Sequence, residues 1–98
     1  MKVFLLKNCD TCRKTMRELK AAGHDPQAID VRADGVSEAD LARFFAEFGE
    51  NIVNRRSTTW RGLDAADRAM PVVDMLRANP TLMKRPVIEL DDKLYLGW

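Results

Sequence analysis

Cys9 and Cys12 constrain this chain more than any other feature, because they stand where an apolar run hands over to a helical pattern. Val3-Phe4-Leu5-Leu6 is short and continuously apolar, which predicts a buried strand ending at Lys7-Asn8. A helix is then expected over 10–22, with Asp10 as its N-cap and Gly23 as its stop. Cys12, Met16 and Leu19 form its apolar stripe. The first N–H groups of a helix lack internal partners and carry partial positive charge. A sulfur held there ionises more readily, and the thiolate is the reactive form. Cys12 lies one turn further on, near enough to close a disulfide on whatever Cys9 has attacked. The spacing therefore points to thiol–disulfide chemistry, with Cys9 attacking and the inward-facing Cys12 resolving. Two duller readings stand beside it: a pair of inert buried thiols, or half of a zinc site. Zinc normally takes four ligands, and the single histidine, His24, falls at the far end of the first helix, where it is expected to be exposed.

After a turn at His24-Asp25-Pro26, residues 28–31 alternate as a half-buried strand. Strand, helix and strand at this spacing make a βαβ unit with parallel strands. Ala33-Asp34-Gly35 is a loop, and Ser37-x-x-Asp40 resembles a capping box. Leu41, Phe44, Phe45 and Phe48 follow at i, i+3, i+4, i+7, and are expected to be core. Gly49 should end that helix. Ile52 and Val53 anchor a polar loop over 54–62 that carries Arg55, Arg56, Trp60 and Arg61. A short helix should begin at the N-cap Asp64 and end near Met70. Pro71 suits the first turn of the next, which turns Val72, Val73 and Leu76 inward before Asn79-Pro80. Residues 86–90 and 94–96 read as strands joined at Asp91-Asp92, antiparallel because two residues cannot make a crossover.

The expected architecture is a single α/β domain over 1–98: βαβ, a helical insertion at about 37–79, then a ββ hairpin completing a mixed sheet. With Cys-x-x-Cys at the first strand–helix junction, this is the thioredoxin-like pattern. At 98 residues the chain is near the lower end of what buries a self-sufficient core. A net charge of +1 gives no general electrostatic case for nucleic acid or an acidic membrane surface. No apolar run approaches the roughly 20 residues that span a bilayer. The start of the chain carries no signal-peptide pattern, so a cytoplasmic location is expected. In that compartment two cysteines mean redox or metal chemistry more often than a structural staple.

Lys7-Asn8-Cys9-Asp10-Thr11-Cys12-Arg13-Lys14, Arg56-Ser57-Thr58-Thr59-Trp60-Arg61 and Leu82-Met83-Lys84-Arg85-Pro86 occur in this order along the chain. In wording and spacing they resemble the arsenate reductase (ArsC)/Spx family, most of all its small YffB-type members. The resemblance covers essentially the whole chain. It implies a thioredoxin-like fold with a helical insertion, a nucleophile at Cys9, and a cis peptide before Pro86 whose loop faces the cysteines. It also implies three arginines around an oxyanion, two of which fall on Arg56 and Arg85. The third would lie in the final hairpin, where Lys93-Leu94-Tyr95-Leu96 contains no arginine, and this weighs against arsenate as substrate. A C-terminal helix is implied after the hairpin, whereas the sequence stops at Trp98.

On their residue types alone, Arg56 and Arg85 would more often bridge carboxylates on neighbouring helices. The resemblance makes them anion binders, for a glutathione carboxylate, a phosphate or an arsenate-like oxyanion. Arg55 and Arg61 read as surface residues, and Trp60 as packing under its loop. Asn8 either donates to the thiolate or a bound oxyanion or simply forms the turn, and the Thr11 hydroxyl is placed to help in the same way. Lys7 and Arg13 either lower the Cys9 pKa or only solubilise.

The expected function is a thiol–disulfide oxidoreductase with no bound cofactor, drawing electrons from glutathione or another thiol, and acting on a small disulfide or oxyanion. The alternative is an Spx-like redox switch that binds RNA polymerase.

Overall fold

Strand β1 (Lys2–Leu5) is buried at Val3, Phe4 and Leu5, which places it inside a sheet rather than at its edge. The computed structural model describes residues 1–97. They fall into two units, one formed by Met1–Gly35 with the segment from Arg85 onward, the other by Val36–Lys84.

In the first unit β1 is followed by α1 (Asp10–Ala21) and β2 (Gln27–Asp30), and the chain returns as β3 (Val87–Leu90) and β4 (Lys93–Leu96). The sheet order is β2-β1-β3-β4. β1 and β2 are parallel, with Val3 beside Ala28 and Leu5 beside Asp30. β3 is antiparallel to both β1 and β4. The mixed sheet is the one the βαβ and ββ patterns predict. Cys12 and Leu19 of α1 pack on Val3, Leu5 and Ile88, so the helix carrying the cysteines is fastened to the two central strands. Gly23, at φ +90°, lets the chain leave α1, and its N–H bonds Lys20 O at 3.1 Å. The β3–β4 turn puts both Asp91 (φ 51°) and Asp92 (φ 63°) in the left-handed region. Two such residues give the hairpin turn whose twist matches its strands, and Asp tolerates it better than most.

Two expectations shift here. The β2 strand begins one residue early and buries Asp30 at its end, where simple alternation would seat an apolar residue. His24 is half-buried rather than exposed. Among the described residues no helix follows β4, as expected.

The second unit begins with α2 (Glu38–Phe48). Ser37 Oγ accepts the Asp40 N–H at 3.1 Å, as the capping pattern predicts. Leu41 and Phe44 are fully buried, but Phe45 is 39% exposed and Phe48 half-buried. Successive side chains on a helix diverge by about 100°, so with Phe44 aimed inward Phe45 is swung toward solvent. The stretch read as a polar loop contains a short helix, α3 (Thr58–Arg61), started by Ser57 Oγ accepting the Trp60 N–H at 3.1 Å. α4 (Ala65–Arg68) starts from the Asp64 cap. α5 (Val72–Ala78) follows Pro71 and buries Val72, Met75 and Leu76, with Val73 only half covered. Phe44→Ala should cost about 3–5 kcal/mol of stability, against less than ~1 kcal/mol for Phe45→Ala. Urea unfolding of the two variants measures the difference, and equal losses would contradict this packing. Among the described residues no helix is long and apolar enough to cross a membrane.

Candidate functional site

Cys9 itself occupies the N-cap of α1, with extended backbone (φ −99°, ψ 120°). Its N–H bonds Leu6 O at 3.2 Å, closing the turn out of β1, while its carbonyl accepts the first helical bond from Arg13 at 2.9 Å. Asp10, expected as the cap, is therefore the first residue inside the helix, where its negative charge still suits the dipole. A cap normally offers an oxygen to the N–H groups two and three residues on. Here no side-chain hydrogen bond closes the cap, and the N–H groups of Cys12 and Thr11 act on the Cys9 sulfur instead.

The two thiols are free and sharply unlike. Cys9 is partly exposed, whereas Cys12 is fully buried against β1 and β3. Burial pushes the Cys9 thiol up, but the Cys12 N–H and thiol, the Arg85 guanidinium and the Thr11 N–H outweigh it and hold it below its ordinary value. Burial pushes Cys12 up to about 11, opposed by the Leu6 backbone and reinforced by the neighbouring Cys9. Arg85 is a cation whose charge favours the Cys9 thiolate. The Arg13 guanidinium is turned to other partners: Nε donates to Lys7 O at 3.0 Å and Nη1 lies 3.5 Å from the exposed Asp10 carboxylate.

Arg85 precedes β3, joined to the buried Pro86 by a cis peptide. The Gly97 N–H donates to Pro86 O at 2.8 Å, tying the end of β4 to the same bend. Asn8 is exposed in the turn beside Cys9, and Thr11 is exposed in the first turn of α1. Arg56 belongs to the second unit. There it lines a polar pocket of about 420 Å³ with Arg55 and Lys84. Its carbonyl accepts from Arg61 Nη2 at 2.8 Å. Arg55 and Arg68 stack on Trp60 at 5.4 and 5.0 Å from the ring centre, so the indole is clasped by cations. Among the described residues no three His, Cys, Asp or Glu side chains gather as a metal site needs.

Sequence reasoning missed Asp30. Its Oδ2 accepts the Lys7 N–H at 3.1 Å, and Oδ1 accepts the N–H groups of Arg32 and Ala33, both at 2.8 Å. One buried carboxylate thus ties the turn before Cys9 to the loop after β2. An Asp closing a strand before a loop is the available signal, since such a side chain commonly satisfies backbone N–H groups nearby. The Ala33 N–H first, then those of Lys7 and Arg32 and the Lys7 charge, hold its carboxyl below the ordinary 3.8 despite burial. A carboxyl depressed in the folded state stabilises fully above its unfolded value and loses that contribution as pH falls through the folded one. Unfolding midpoints measured from pH 6 to pH 2 should therefore drop at the acid end, and Asp30→Asn should flatten that drop. A variant with the parent's acid limb would contradict the assignment.

Several known proteins are similar to this chain. The ArsC family model matches residues 4–98. An uncharacterized protein of Haemophilus influenzae is 37% identical over 102 residues, spanning 98% of this chain and 89% of that protein. Among solved structures, the protein YffB superposes with a TM-score of 0.91 at 31% identity, covering 99% of this chain and 90% of its own. An arsenate reductase (ArsC) related protein from Brucella melitensis gives a TM-score of 0.79 at 33% identity, covering 99% of this chain and 85% of its own.

Proposed function

The chain belongs to the ArsC family and has its thioredoxin-like fold, and from that premise we propose that it is a thiol–disulfide oxidoreductase acting through Cys9 and Cys12. The observation carrying this reading is the asymmetry of the pair. One sulfur sits partly exposed at a helix N-cap near a guanidinium, and the other is sealed in the core one turn on. A nucleophile must be ionised and reachable, while a resolving thiol must wait without competing for substrate.

In the proposed cycle the Cys9 thiolate attacks one sulfur of a substrate disulfide. The substrate S–S bond breaks, and its other half leaves as a thiolate that takes a proton from water. Cys12, losing its proton, then attacks the Cys9 sulfur, forming the Cys9–Cys12 disulfide and releasing the second half as a thiol. Two glutathione molecules return the two electrons and become glutathione disulfide. Arg85 stabilises the thiolate before attack, Thr11 contributes its N–H, and Pro86 belongs to the bend that carries Arg85. The Asn8 amide, beside the nucleophile, is assigned to the departing sulfur. Arg56, with Lys84 in its polar pocket, is assigned to an anionic group such as a glutathione carboxylate. A disulfide is favoured over arsenate because the family resemblance implies three arginines around an oxyanion, and the final hairpin, where the third would fall, contains none.

The test is NADPH oxidation coupled through glutathione and glutathione reductase, with a small glutathione mixed disulfide in one cuvette and arsenate in another. Turnover of the mixed disulfide is expected, and arsenate turnover at or near the blank. Silence in both, from protein whose thiols still oxidise and reduce reversibly, would overturn the enzymatic reading and favour a redox switch acting on a partner such as RNA polymerase.

A further inference from the structure

Beside the dithiol, the first unit contains a pocket of about 320 Å³ to which the proposed cycle assigns no substrate, although the resolving thiol Cys12 lines it. Its walls are apolar: Leu5 and Leu6 from the end of β1, Met16 from α1 and Ala28 from β2, with Cys12 at the back. Ala28 pairs with Val3 in the sheet and is itself exposed, so this edge strand leaves the space beside it open. The volume lies in the ordinary range for small-molecule sites, about 300–1,000 Å³.

Charge gives the pocket a preference. Lys7, Arg13 and Arg17 also line it, all three are exposed, and no carboxylate is among its lining residues. That is no reflection of composition, since the chain carries 16 basic and 15 acidic residues. Arg13 and Arg17 are four apart on one helix, an arrangement in which like charges repel. The Asp10 carboxylate does reach Arg13, at 3.5 Å, but it is 99% exposed and such surface pairs contribute little.

We propose that this pocket binds a small apolar acid, an acyl or aryl carboxylate whose hydrocarbon part lies on Leu5, Leu6, Met16 and Ala28 while its carboxylate meets Lys7, Arg13 and Arg17. Apolar burial supplies the driving force, and the flexible thioether of Met16 adapts to different chain shapes. The cations set the sign of the head group. Cys12 is shared with the proposed cycle, but octanoate binding needs no thiol reaction, so either can fail without the other.

The probe is octanoate, titrated into the full chain and followed by amide chemical shifts, with octanol and octylamine as controls. Octanoate should give saturable shifts centred on Leu6, Cys12, Met16, Arg17 and Ala28. Octanol should bind about tenfold more weakly, the share a charged contact contributes, and octylamine should not compete. Arg17→Glu, a surface change, should weaken octanoate by about tenfold or more. Ala28→Phe should abolish binding by filling the pocket, with an unchanged Cys9 alkylation rate reporting an intact fold. Shifts scattered over other surfaces, equal affinity for octanol and octanoate, or undiminished binding by Arg17→Glu would each overturn the proposal.

Discussion

Cys9→Ser is expected to bring glutathione-coupled turnover down to the uncatalysed rate, a loss on the order of 10³-fold or more, while leaving the protein at least as stable as before. The two halves of that expectation have one origin. The position is a helix N-cap, where the Thr11 and Cys12 N–H groups and the Arg85 charge favour an anion. For sulfur this means a thiolate at modest pH. A serine hydroxyl starts so far above the thiol in pKa that the same groups leave it protonated and inert. As a neutral cap, however, serine is among the best residues for this place and should add up to about 1 kcal/mol to α1. Lost activity with a raised unfolding midpoint would assign Cys9 to chemistry alone. Lost activity together with lost stability would instead make it a packing residue, and surviving activity would remove it from the mechanism.

The phase of α1 was legible because it rests on local signals that agree: an apolar run, a polar turn, a helical stripe and a terminal glycine. From phase alone Cys12 had to face the core. Signals that depend on partners were legible less well. Phe45 shares the i, i+4 pattern of Leu41, but how wide a stripe is buried depends on what packs against α2, and that partner leaves it 39% exposed. The helix at Thr58–Arg61 was hidden in a stretch of threonines and arginines with no apolar period, and its one local cue was Ser57 three residues before Trp60.

Arg85 could be named only through resemblance. The antiparallel β1–β3 pairing brings the start of β3 to the end of β1, and no local pattern encodes that choice. Local reasoning accordingly offered Lys7 and Arg13, the cations nearest Cys9 in sequence, whereas Arg85, far off in sequence, is the one whose charge stands among the leading causes that favour the thiolate. Asp30 shows the same limit for a polar residue, since hydrophobic periodicity has nothing to say about a carboxylate that is buried to satisfy three N–H groups.

Cys12→Ser is expected to slow release of the substrate's second half by at least about 100-fold and to leave Cys9 trapped as a mixed disulfide, seen as a mass adduct that reductant removes. Two opposing magnitudes decide this. Cys12 is held up to about 11 by burial, so its thiolate fraction at pH 7 is on the order of 10⁻⁴. Millimolar glutathione, with a few per cent of thiolate at that pH, is better ionised. Against that, a thiol one helical turn from its target acts at an effective concentration that reaches about 10⁵ M in favourable cases. Proximity therefore wins by a wide margin even with poor ionisation. Once Cys9 is bound in a mixed disulfide its charge no longer opposes Cys12, although burial still does. The parent's resolving step should consequently quicken by about tenfold per pH unit for as long as the pH stays below the raised Cys12 pKa. In Cys12→Ser it should become first order in glutathione and follow glutathione's own thiol instead. An unchanged rate and pH slope in the variant would show that glutathione, and not Cys12, resolves the adduct.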